Sequence, residues 1–191
     1  MAGNGRDLLR SFRDYRLMFG GTDWDTTPQR YREPNAMSVR IAMRMGNELA
    51  CAAVPQDFSI IDASKRKLFR NVDLTTTPEA GGEPAIRSEI KRLHRLVLGE
   101  ELADGDPELE ATYQLWQQSH EALRSAAGSG NRQNTATRSR VNCRAMASFD
   151  AALTPYPNDT HRVVDQDTNN TLKPWIAVLS YLLSDGRFFL Q

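Results

Sequence analysis

Apolar positions recur at three- and four-residue steps along most of this chain, the spacing that lines one face of an α-helix. Leu8, Leu9, Phe12, Tyr15 and Phe19, set among Arg6, Arg10, Arg13 and Asp14, predict an amphipathic helix over about 7–19 that ends at Gly20-Gly21. A second helix is expected from about Ala36 to Ala53, with Met37, Ile41, Met45 and Leu49 on one face and Val39, Met43 and Ala50 beside it; Pro55 stops it. Ser59 to Phe69 reads as a short helix with Lys65-Arg66-Lys67 near its C-terminal end, where cations suit the macrodipole. Pro84 opens a clearer helix to about Gly99, with Ile86, Ile90, Leu93 and Val97 inward and Arg87, Lys91 and Arg95 outward. Asp106-Pro107-Glu108 is a strong start for the next, which carries Leu109, Tyr113, Trp116 and Leu123 and frays at Ala126-Ala127-Gly128. A short helix around Val141 to Leu153 follows.

The most apolar stretch is Leu172 to Gln191, near the end of the sequence. Its unbroken part, Trp175 to Leu183, is far short of the ~20 apolar residues that cross a bilayer. A docked helix is expected, entered at Pro174, with Trp175 near its start and Phe188 and Phe189 closing a groove. Between helices the chain is irregular. Thr22 to Asn35, with Pro28, Pro34, Trp24 and Tyr31, reads as an extended arm whose aromatics clamp onto a surface. Gly128 to Arg140 is a polar, small-residue linker, and Thr154 to Asn170 holds Pro155, Pro157 and an Asn/Asp-rich tip. No repeat and no strand alternation interrupts this pattern. The fold class is therefore all-α: a single irregular helical domain over 1–191, of about five or six helices, with long extended loops and an N-terminal arm.

Composition narrows the function. Lys plus Arg and Asp plus Glu both number 24, so no overall field attracts nucleic acid or anionic lipid. The opening residues are polar and soon charged, unlike a secretory signal; either the protein stays where it is made or a leader is missing from the sequence given. Cys51 and Cys143 are too far apart for a CxxC motif, and His94, His120 and His161 are dispersed, leaving little material for a Cys/His zinc site. The two cysteines read either as small buried hydrophobes or as one long-range disulfide, which needs an oxidising compartment.

Candidate chemistry is sparse. Asp165, Asp167 and Asn169 imitate the first half of a calcium loop, but Asn170 stands where its glycine belongs and Ile176 where its bidentate glutamate belongs, so a helix-capping turn is preferred. Arg132, Arg138, Arg140 and Arg144 form an arginine cluster without interleaved aromatics for base stacking, which favours solvent or an acidic protein over RNA. His94 with Glu89, or His161 with Asp165 and Asp167, would be the carriers of a metal-dependent enzyme; the expected role of His94 is an ordinary place on an amphipathic face. Arg6, Arg10, Arg13 and Arg16 opposite Leu8, Phe12, Tyr15 and Phe19 fit a membrane interface or a core-facing helix. Neither a nucleophile elbow nor a phosphate loop is present, and the methionines lack a CxxCH motif for haem.

Two stretches, Arg92 to Trp116 and Trp175 to Leu190, resemble helical segments of large exported proteins of planctomycetes and myxobacteria described as cytochrome-c-like. The shared features are a Gly-Asp-Pro helix start and a tryptophan-led helix ending in an aromatic pair. The haem-attachment motif of that family is absent here. What the resemblance implies is an envelope-associated, non-catalytic helical module, and it strengthens the disulfide reading of Cys51 and Cys143. The expectation is thus a structural or accessory subunit that binds protein partners or itself, with Trp24, Tyr31, Trp175, Phe188 and Phe189 as contact residues and no catalytic, cofactor or metal residue.

Overall fold

The computed structural model describes residues 36–128, 143–145 and 160–189, and among these it is all-α. The expected helix over 7–19, the arm with Trp24 and Tyr31, the linker from 129 on, and Arg132, Arg138 and Arg140 lie outside the described residues. Helix α1 spans Ala36–Ser59, α2 Glu83–Leu98, α3 Pro107–Gly128, α4 Leu172–Ser184, and the single turn α5 Gly186–Phe189.

Helix α1 runs through Pro55 instead of stopping there. Proline removes the hydrogen bond to the carbonyl four residues back, that of Cys51. Beyond it, Phe58 is fully buried and the Ser59 hydroxyl donates to the Gln56 carbonyl at 2.6 Å, so tertiary burial outweighs the local break. The buried face differs in part from the expected one: Met45 and Ala50 are buried, but others of the set are not. Val39 and Met43 face solvent at 56% and 60% exposure, whereas the row Ala42, Gly46, Ala50, Val54, Phe58, spaced by four, turns inward. The small residues in that row let α4 come close. A β-carbon on Gly46 would lie 2.5 Å from Ser184 Oγ and 2.8 Å from the Ser180 carbonyl oxygen.

Helix α4 occupies the centre, packed chiefly along α1 and also against α3 and α2. Trp175, Val178, Leu179 and Leu182 are its buried row, and Pro174 sits buried in its first turn. Trp175 meets Phe69 at 5.1 Å and Trp116 at 5.8 Å between ring centres, and Phe69 stacks on Phe58 at 4.5 Å. The tryptophan expected as a contact residue is therefore buried in the domain's own core. Phe188 is partly buried against that core; the Phe189 side chain lies outside the described residues. Helix α2 has Pro84 in its first turn and Gly99 in the left-handed region at its end, φ 71°, and α3 has the Asp106 carboxylate accepting from the Glu108 N–H at 2.9 Å.

Residues 143–145 depart from the helix expected around Val141 to Leu153. Ala145 exchanges two 2.8 Å backbone hydrogen bonds with Val164 in an antiparallel bridge, and Cys143 is joined to Cys51 by a disulfide with its Cα atoms 4.5 Å apart. A second bridge pairs Ile60 with His161.

Candidate functional site

The segment from Ile60 to Thr77 is the least regular described stretch of this length, and it is braced by side chains from both flanking helices. Only a 3-10 turn, Ala63–Lys65, forms where a short helix was expected. The reason lies in where its backbone N–H groups point. Those of Lys67, Leu68 and Phe69 donate to the Asp57 carboxylate on α1, at 2.8, 3.1 and 2.8 Å. Those of Arg70 and Asn71 donate to Glu89 on α2, at 3.1 and 2.6 Å. Amides captured this way cannot also make helical bonds.

The carbonyl side is held by arginines. Arg66, 1% exposed, donates to the Ile60 and Val72 carbonyls at 2.8 and 3.0 Å, pairs with Asp73 at 3.5 Å, and lies over the Phe58 ring at 5.4 Å. Arg92 donates to the carbonyls of Lys67, at 2.7 Å, and Leu68, and pairs with Glu89 at 2.9 Å. Arg162 donates to the Phe58 carbonyl at 3.1 Å and pairs with Asp73. The Thr171 hydroxyl and the Asn169 amide both donate to the Leu74 carbonyl. Burial pushes the Glu89 carboxyl above its ordinary value, outweighing the N–H donors and Arg92 that favour its charge. Asp73 goes the other way: the Leu74 N–H and Arg162 together outweigh its burial and hold it low.

What this framework presents outward is mixed: Ile61 is 46% exposed and Asp62, also exposed, pairs with Lys65 at 3.8 Å. Lys65, Lys67, Arg70 and Asn71 are exposed. Next to them, a shallow groove runs between Asn71, the outer face of α2 (Ser88, Lys91, Arg92, Arg95), and the α2–α3 connection at Glu101 and Leu102.

The structure does not assemble the enzymatic pairs considered from sequence. His94 lies on the buried face of α2 with Ile86, Ile90 and Leu93, its Nε2 3.1 Å from Thr112 Oγ1 and its Nδ1 3.4 Å from Glu100; Glu89 serves the 60–77 segment instead. His161 sits in its backbone bridge, its ring pushed to lower pKa by burial, 3.0 Å from the Thr160 hydroxyl. Asp167 spends its carboxylate on the N–H groups of Thr171, Leu172 and Lys173, at 2.7, 3.0 and 3.2 Å, which starts α4. Among the described residues no group of three or more His, Cys, Asp or Glu is placed to hold a metal ion. Nor is any described helix long and apolar enough to cross a membrane.

Sequence reasoning missed Asp57, Arg66 and Glu89 as structural centres. One signal was available: Glu89 stands between Ile86 and Ile90 on the inward stripe of α2, where a charge must find partners. No family model, curated protein or solved structure matches the chain.

Proposed function

We propose that this domain is a non-catalytic accessory module that binds protein, with the braced 60–77 segment and the adjoining α2 groove as its display surface. The observation that carries this reading is the use of buried charge. Asp57, Arg66 and Glu89, each at most 7% exposed, converge on one irregular segment and fix its backbone. Burying ionised groups is costly unless each is paired. Here that cost is spent on fixing a long loop, and long ordered loops usually carry function. Its exposed side chains are those of a recognition surface rather than a reaction centre. The Cys51–Cys143 disulfide supports residence in an oxidising compartment, in keeping with the envelope association implied by the resemblance above.

The test is co-purification of tagged full-length chain against Lys65→Glu/Lys67→Glu, two exposed side chains whose reversal leaves the buried framework intact. A stoichiometric complex, with a partner or a second copy, is expected for the native chain and lost for the variant at unchanged melting temperature. A monomer by light scattering that engages nothing, or a complex indifferent to the reversal, would overturn the proposal.

A further inference from the structure

Resting on that reading, we infer that the partner offers an extended acidic segment, with carboxylates at alternate positions, and that it docks along the α2 groove between Asn71 and the α2–α3 connection. Lys91 and Arg95 stand four residues apart on one helix, a rise of about 6 Å. Alternate side chains of an extended strand point the same way about 6.6 Å apart. The two repeats match, so a Glu-x-Glu or Asp-x-Asp segment running along α2 meets both cations. Lys67, exposed where the Arg92 guanidinium ties its backbone to α2, adds a third cation near this face, whereas the Arg70 side chain donates to the Arg66 carbonyl at 2.7 Å.

Lys91 itself already binds one carboxylate, on the side it shares with the neighbouring groove along Glu83, Pro84 and Arg87. Lys91 is paired with Asp104, whose side chain is 98% exposed at the tip of the connection, beside Gly105 at φ 81°. A partner's carboxylate that displaces Asp104 keeps the ion pair and releases the aspartate to water. Arg95 is exposed and has no partner among the described residues, so it is available for a bidentate contact. The lining also disfavours a nucleic acid here. The N–H groups of Arg70 and Asn71, which would cradle a phosphate, are taken by Glu89, and no aromatic residue lines the groove for base stacking; Glu101 opposes either anion alike.

The experiment is fluorescence anisotropy of the full-length chain with a short labelled peptide of alternating Glu and Ser, titrated at low and then rising salt. Binding is expected, weakening with salt, reduced about tenfold or more by Arg95→Glu, a loss of about 1.4 kcal/mol or more. Asp104→Ala, which frees Lys91, should tighten it several-fold, while Glu121→Ala, the same change of charge away from Lys91, should not. No binding at low salt, indifference to Arg95→Glu, or equal tightening by Asp104→Ala and Glu121→Ala would overturn the inference. So would tighter binding of a single-stranded RNA of similar length. If the native complex depends on Lys65 and Lys67 but the peptide never binds, the acidic partner alone is wrong; if no complex exists either, the reading beneath it falls too.

Discussion

The seam between α1 and α4 and the segment from Ile60 to Thr77 are both immobilised, by opposite means. The seam is packed closely: Gly46, in a row of small residues with Ala42 and Ala50, admits the Ser180–Ser184 turn of α4, whose Val178, Leu179 and Leu182 are buried, and Trp175 packs against Phe69 and Trp116. The segment has Phe69 and Val72 as its buried apolar anchors and otherwise depends on carboxylates and guanidinium groups reaching from α1, α2 and Arg162. Apolar packing is non-directional and forgiving of small shifts. A carboxylate receiving three N–H groups holds one backbone path and no other. The contrast teaches that this domain gets its stability from one region and its fixed surface shape from the other.

Removing Trp175 attacks the first. Trp175→Ala should cost about 3–5 kcal/mol, a large share of the 5–15 kcal/mol typical of a whole domain, and lower the thermal midpoint for every probe at once. Gly46→Ala should follow at about 1–3 kcal/mol, because the new methyl meets the Ser180 carbonyl oxygen, which cannot swing aside as a side chain can. Its signature in a urea melt is a lower midpoint with unchanged slope.

Asp57→Ala attacks the second region, leaving three N–H groups without their acceptor at a cost of about 1–3 kcal/mol. Hydrogen exchange should accelerate at residues 67–69 while α4 stays protected, and Asp57→Asn should restore part of the protection. If Asp57→Ala instead loosens α4 as much as Trp175→Ala does, the two regions form one cooperative unit and the contrast dissolves.

The smallest effect is a pH slope. The Glu89 carboxyl is raised above 4.5 in the folded chain, so the folded state takes up its proton first as pH falls. Its favourable contribution is complete below the unfolded value and is lost as pH rises through the folded one. The stability difference between native chain and Glu89→Gln should therefore move against the native chain as pH climbs out of the acid range, then level off. A difference that moves the other way would mean that the N–H groups and Arg92 outweigh burial. Asp73, held low, has the opposite sign: its contribution is present above 3.8 and lost as pH falls through its depressed folded value.

Much of the helical frame was legible because its signals are local. Pro84 with Gly99, and Asp106-Pro107, mark α2 and α3 within a residue or so, and the apolar run marks α4. What could not be read depends on distant partners. Nothing near Pro55 shows that Phe58 will be covered by Phe69. Nothing near Lys67 shows that Asp57 and Glu89 will take its neighbours' N–H groups in place of a helix. The face of His94 was legible, but its partner Thr112 was not, because that residue lies on another helix. Large residues misled as well: Met43 looked buried by type, whereas the row of small residues marked the true contact.

The disulfide gives the chain the covalent form of a ring with two tails. Cys51 and Cys143 are separated by 92 positions, and α2, α3 and the whole of 60–77 lie inside the ring they close. Tension applied to the two tails, by an anchored neighbour on one side and a moving one on the other, passes from Cys51 to Cys143 through sulfur. It bypasses everything between them. The backbone between the two cysteines carries none of that load, so 60–77 feels the pull through neighbours such as Arg162, Thr171 and Trp175, whose side chains are set against it.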